Sequence, residues 1–183
     1  MDSARRAFLL GRRPRQSAAP FRPPWAVDEA VFPQACQRCG ECVAACPTGL
    51  LVHGAGGFPE ADFSRGHCTF CTDCARACMA AARSAAARRQ PALRFSPDLP
   101  PWALVAAIGA ACLPGRGVLC RSCDEHCEAG AIRFSPRPGH PARPDIETSS
   151  CTGCGECVAV CPAQAIAMQP DAAPPRAARA SSS

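Results

Sequence analysis

A cysteine pattern written four times limits what this chain can fold into. "CQRCGECVAACP", from Cys36 to Pro47, and "CTGCGECVAVCP", from Cys151 to Pro162, are close copies of one another. A second quartet is Cys68, Cys71, Cys74 and Cys78 in "CTFCTDCARACM"; a third sets Cys112 apart from Cys120, Cys123 and Cys127 in "CLPGRGVLCRSCDEHCE". With Cys151, Cys154, Cys157 and Cys161, the quartets use all 16 cysteines. Three cysteines at spacings of two curl a short loop so that their sulfurs converge on one side, as three corners of a cubane iron–sulfur cluster require. The fourth sits a turn into a helix and, in two-cluster ferredoxin arrangements, ligates the neighbouring cluster. Gly40 and Gly155 keep the loop free of a clashing Cβ.

Other uses of the thiols fit less well. Structural zinc takes paired CxxC or CxxH knuckles, and three successive short spacings leave one thiolate per loop poorly placed for a tetrahedron. Disulfides between neighbours in four successive loops would close strained small rings. Only 5% of the residues are aromatic and none is tyrosine, so a large conventional core is not expected and metal centres must hold much of the chain together. Thiols used as ligands must be reduced, which points to the cytoplasm. "ARRAFLLG" resembles the start of a twin-arginine export signal but runs into Arg12, Arg13, Pro14 and Arg15 where an apolar segment should follow. The longest apolar run, "WALVAAIGAACL", is too short to span a membrane.

Between the quartets the layout also repeats. "PTGLLVHGAGGFPEADFSRGHC" and "EAGAIRFSPRPGHPARPDIETSSC" each read as strand, turn and strand leading into the next quartet. Each half is then motif, hairpin, motif, and the expected fold is α+β: two tandem bacterial ferredoxin-like modules of two clusters each. Residues 1–30 are expected to form a basic flexible arm, 31–90 the first module, 91–111 a linker with a short apolar helix, 112–169 the second module and 170–183 a disordered tail. Sequential pairing exchanges the fourth ligands. Cys46 joins Cys68, Cys71 and Cys74, Cys78 joins Cys36, Cys39 and Cys42, and Cys127 and Cys161 exchange likewise. A nested pairing, quartet one with four and two with three, stays open, since one and four are the most alike. Met79 and Glu128 stand where the other quartets have proline.

No nucleophile, base or carboxylate pair is arranged for substrate chemistry. His67 and His126 each precede a cysteine and read as structural, because four cysteines per cluster leave no vacancy. Glu41 and Glu156 read as solvated loop residues. All 20 basic residues are arginine, six of them within the first 22 positions, and they are not interleaved with aromatics as a nucleic-acid surface would be. The arm is either a solvated tail or an electrostatic docking element, with Arg83, Arg88 and Arg89 as an alternative basic surface.

The start "ARRAFLLGRRPR", "RPPWAVDEAVF" before the first quartet, "GGFPEADF" before the second, the split third quartet and "CTGCGECVAVCPAQAIAM" at the end together resemble the ferredoxin-type NapF family of the periplasmic nitrate reductase system. The resemblance covers nearly the whole chain, departing at position 4 and after Met168. It implies a cytoplasmic protein with four [4Fe–4S] clusters, the sixteen cysteines above as ligands, no membrane span and no substrate site. The implied partner is the catalytic molybdenum subunit of the nitrate reductase, met before its export. An alternative role is a general electron-transfer polyferredoxin between a reductase and a terminal enzyme; a zinc-bound interaction module is a third.

Overall fold

A computed structural model describes residues 20–84 and 90–172. Most of the arginine-rich start, Arg88, Arg89 and the tail after 172 lie outside the described residues. The first half runs α1 (Phe32–Ala35), α2 (Glu41–Ala44), β1 (Leu51–His53), β2 (Pro59–Ala61) and α3 (Asp73–Ser84). The second runs β3 (Leu104–Ile108), α4 (Ser122–Glu125), β4 (Ile132–Arg137), β5 (His140–Ile146), α5 (Glu156–Ala159) and β6 (Ile166–Pro170).

Both expected hairpins form. In the first, Leu51 faces Ala61 and His53 faces Pro59. The chain reverses through Gly56 and Gly57, both at positive φ, where a side chain would be strained. In the second, Ile132 faces Ile146 and Phe134 faces Pro144, with an irregular register between Ser135 and Arg137.

Two expectations are corrected. The apolar run after Trp102 is not a helix: Leu104–Ile108 is a strand, antiparallel to Ile166–Pro170, with Leu104 opposite Pro170 and Ile108 opposite Ile166. A short apolar run bracketed by prolines has no periodicity that separates strand from helix, and the ladder partner lies at the far end of the half. The presumed linker therefore supplies the opening strand of the second half. Residues 23–27, expected to belong to the flexible arm, are instead packed against the body of the protein. Pro23, Pro24 and Trp25 are buried, and Ala26 bridges Leu93 as an isolated antiparallel pair. Main-chain hydrogen bonds from Val27 N–H to the Ala92 carbonyl and from Arg94 N–H to the Trp25 carbonyl fix this closure. The alternation of proline and apolar residues in "FRPPWAV" suits an extended strap with few N–H groups left to satisfy.

A hydrophobic core does form, and its largest side chains are in the first half: Phe32, Leu50 and Leu93 are fully buried, with Phe63 beside them. Burying such a side chain contributes about 1.5–3 kcal/mol. Arg22 caps this cluster, its guanidinium lying 4.7 Å from the Phe32 ring centre and 5.4 Å from that of Phe58. The second half relies on smaller groups, Val105, Ile132, Ile166 and Met168, along its ladders. The halves also meet directly. Cys68 N–H donates to the Cys154 carbonyl at 2.8 Å, and the Phe63 and Trp102 rings pack edge-on with centres 5.4 Å apart. Gly155 lies so close to Phe63 that a Cβ there would collide with the ring.

Candidate metal centres

Three cysteine loops share one backbone trace. The residues on either side of the second cysteine take positive φ: Arg38 (56°) and Gly40 (79°), Phe70 (55°) and Thr72 (66°), Gly153 (77°) and Gly155 (79°). Two left-handed residues in five reverse the chain twice and turn the three thiols to one side. Glycine adopts this conformation freely, whereas β-branched Thr72 adopts it at a cost, and such strain persists only where surrounding structure over-determines it. The third loop is different, with Arg121 at φ −135° and no left-handed residue on either side of Cys120. Its first cysteine, Cys112, instead arrives through a 3₁₀ turn at Leu113–Arg116.

The loops and fourth cysteines combine across quartets. Cys36, Cys39 and Cys42 line an open recess of about 480 Å³ together with Cys78, not Cys46. Cys68, Cys71 and Cys74 line a second, of about 330 Å³, with Cys46. Cys151, Cys154 and Cys157 line a third, of about 370 Å³, with Cys127. The remaining four are close enough for their charges to act on one another: Cys161 and Cys120 on Cys112, and Cys112 and Cys120 on Cys123. The thiols thus stand around a space, and among the described residues no three His, Cys, Asp or Glu side chains meet as ligands to a single ion.

The fourth cysteine of each quartet receives main-chain donors. Ala131 N–H points to Cys127 Sγ at 3.3 Å and Ala165 N–H to Cys161 Sγ at 3.3 Å, each donor four residues on. Cys46 receives N–H groups of Leu51, Thr48 and Leu50. Three residues past each of these cysteines the chain is left-handed: Gly49 (68°), Gly130 (56°) and Gln164 (48°). This residue, rather than the proline, defines the return turn, since the third quartet keeps the geometry with Glu128 in the proline position. Only the second quartet departs. After Cys78 the chain continues as α3, and the donors to its sulfur come from Ala92 and Leu93 once the chain has returned.

Burial is the main influence on the acidity of the most enclosed thiols. It pushes Cys42, Cys68, Cys74 and Cys157 up to about 12 and Cys123 to about 11, with neighbouring thiols adding to the rise. Cys46 differs from these: burial acts upward on it too, but the Thr48 hydroxyl and the nearby N–H groups bring it below the ordinary thiol value. Low-dielectric recesses lined by thiols, with N–H groups directed at sulfur, suit a bound group that carries its own positive charge and displaces the thiol protons. These residues fit an iron–sulfur group; when bound, it would supply one-electron chemistry.

His126 has a structural bond, its Nδ1–H donating to the Ser122 carbonyl at 2.8 Å. His67 contributes its carbonyl, which accepts from the Thr48 hydroxyl at 2.6 Å. Glu41 and Glu156 open α2 and α5. Sequence reasoning missed His53, which lines the first recess and lies against Gly40, and Trp25, which lines the second. The Pro-Pro-Trp triplet was the available signal for Trp25; His53 had none.

Comparison with known proteins agrees with this geometry. The 4Fe-4S dicluster domain matches twice, over residues 35–82 and 118–174. The ferredoxin-type protein NapF of Escherichia coli K12 is 40% identical over 167 residues, covering 91% of this chain and 94% of the relative. NapF of Haemophilus influenzae is 38% identical, covering 90% and 92%. The methylamine utilization ferredoxin-type protein MauM of Methylophilus methylotrophus is 34% identical, covering 84% and 71%. No solved structure matches the chain.

Proposed function

The chain belongs to the family of ferredoxin-type NapF proteins, and from that premise we propose that it is a four-cluster [4Fe–4S] protein of the cytoplasm that serves as an accessory factor. It acts on the catalytic molybdenum subunit of periplasmic nitrate reductase before export, donating or accepting single electrons while the subunit's own centres are completed. The observation that carries the cluster reading is the exchange of fourth cysteines: three thiols of one quartet share a recess with the last thiol of the other. The ligand sets are Cys36, Cys39, Cys42 and Cys78; Cys46, Cys68, Cys71 and Cys74; Cys127, Cys151, Cys154 and Cys157; and Cys112, Cys120, Cys123 and Cys161. Two tandem two-cluster modules follow from these sets, with no substrate site of their own. Among the described residues no helix is long and apolar enough to cross a membrane.

Anaerobic purification with iron, sulfide and EPR quantitation tests the cluster count: 16 cysteines in four sets require sixteen iron atoms per chain. Saturation near eight, or stoichiometric zinc, sinks it. Pulldown of the nitrate reductase precursor tests the partner, and retention of the mature subunit but not the precursor would contradict a role before export.

One observation favours a second reading, a general electron carrier. The Cys68 to Cys154 hydrogen bond makes the second and third sites neighbours, which supports one continuous series of four centres. A relative named for methylamine utilization bears a related sequence, so the framework is not tied to nitrate. Rapid reoxidation of the reduced protein by the mature reductase would favour the carrier.

A further inference from the structure

Two buried side-chain nitrogens among the described residues have no hydrogen-bond partner: Nε1 of Trp25 and Nε1 of Trp102, the chain's only 2 tryptophans. A buried donor left unpaired costs about 1–3 kcal/mol, and one in a native fold calls for an explanation. Trp25 carries a second cost, a backbone φ of 57° in a residue with a bulky side chain. Yet it is held from several sides. Pro23 and Pro24 before it are fully buried, its N–H donates to the Pro101 carbonyl at 2.6 Å, its carbonyl accepts from Arg94, and its ring meets Phe95 edge-on with centres 5.2 Å apart. Trp25, so fixed, is 9% exposed and is one of the residues lining the recess of Cys46, Cys68, Cys71 and Cys74.

We propose that the missing acceptor is sulfur: the Trp25 indole N–H donates a hydrogen bond to the iron–sulfur group bound by Cys46, Cys68, Cys71 and Cys74. This rests on the four-cluster reading above. A neutral donor aimed at cluster sulfur stabilises the form with one more negative charge, so it raises the reduction potential of the second site. When that site takes one electron from a low-potential donor, or from a neighbouring cluster that is oxidised in turn, the N–H dipole favours the product. The second site adjoins the other half through Cys68, so the Trp25 donor would tune the potential of a site at the junction between the halves. Trp102 serves as a comparison. Its Nε1 stands 2.9 Å from where a Cβ on Gly153 would lie, against the main chain of the fourth loop, and it does not line any of the three recesses.

The test uses the intact holo-protein labelled with ¹⁵N-indole tryptophan, reduced with dithionite and examined by pulsed EPR, with a potentiometric titration alongside. The unsubstituted protein is expected to show a ¹⁵N coupling to one reduced cluster. Trp25→Phe, which keeps a ring and removes the N–H, is expected to abolish the coupling and lower one midpoint potential, leaving the others in place; Trp102→Phe is expected to retain both. Absence of the coupling in the unsubstituted protein, its survival in Trp25→Phe, or unmoved potentials overturns the proposal. The first of these readings does not depend on any variant folding. Iron and sulfide measured on the same samples report separately on the four-cluster reading.

Discussion

The two halves close alike by different routes. In the second, a short turn after Cys161 delivers Ala165 N–H to the sulfur and the chain enters β6 at once, forming a five-residue ladder with β3. In the first, the chain leaves Cys78 along α3, and Ala92 and Leu93 bring equivalent N–H groups only after the return. There the closing ladder shrinks to a single bridge, Ala26 with Leu93. The geometry around the sulfur is kept while the covalent path to it changes. What the first half lacks in ladder it replaces with aromatic packing around Phe32 and Phe63 and with the strap at Pro23–Trp25. A metal centre needs donors in place, and an apolar core or a β-ladder can hold them there.

The largest effect expected from this contrast follows removal of iron and sulfide. Both halves lose structure, because the recesses then hold buried thiols with nothing between them. Amide exchange followed by mass spectrometry is expected to show the second half reaching unfolded-like rates, while segments around Phe32, Leu50 and Leu93 keep measurable protection. Equal loss in both halves would show that the aromatic core depends on metal as fully as the ladders do.

Next in size are core truncations. Phe32→Ala is expected to destabilise the holo-protein by about 3–5 kcal/mol, and Met168→Ala by about 2 kcal/mol, the low end for a buried methionine, because it sits on a two-stranded ladder that can collapse. The measurement is the denaturant concentration at which cluster absorbance is lost. The reverse order would place the mechanical weight in the second half.

These contrasts were only partly legible in the sequence. Cysteine spacing located the loops, and glycine turns flanked by apolar residues located both hairpins, because each signal is local. The strand at Leu104–Ile108 was not legible, since its partner Ile166–Pro170 comes only after two whole quartets. Met79 and Glu128 looked equivalent as missing prolines, yet the turn after Cys127 survives because Gly130 takes the left-handed conformation, whereas after Cys78 helix-forming alanines carry the chain onward. Trp25 fell inside what read as a flexible arm. The recess it lines is assembled by segments distant in sequence.

The return turns allow a finer comparison. Gly49→Ala in the first half and Gly130→Ala in the second are each expected to cost about 1–2 kcal/mol, the penalty for a Cβ in the left-handed region. Gln164 already bears that penalty at φ 48°, so Gln164→Gly is expected to be neutral or stabilising by up to about 1 kcal/mol, after the larger backbone entropy of unfolded glycine is set against the strain relieved. Denaturant midpoints of the three holo-variants decide it. A clear loss for Gln164→Gly would mean that the glutamine side chain contributes to the turn.

The smallest effect concerns the strap that replaces the ladder in the first half. Arg22, largely shielded over Phe32 and Phe58, donates to both oxygens of Glu29 from one edge of its guanidinium, with Nη2 to Oε1 at 2.7 Å and Nε to Oε2 at 2.8 Å. The hydrogen bond from Arg22 holds the Glu29 carboxyl below its ordinary value. A group depressed in the folded state adds stability that is present above its unfolded pKa and is lost as pH falls through the folded one. Glu29→Gln is therefore expected to be slightly less stable than the parent at neutral pH, by less than about 1 kcal/mol because Glu29 is half exposed and the pair is screened. The difference should shrink as pH falls below the ordinary glutamate range and close only once pH has passed the lower folded value, where the parent carboxyl is protonated as well. Added salt should shrink it at neutral pH, while cluster content stays constant. A difference that persists unchanged into acid would assign the anchoring to the stacking of Arg22 on the two phenylalanines, leaving the ion pair with no measurable part in holding the strap.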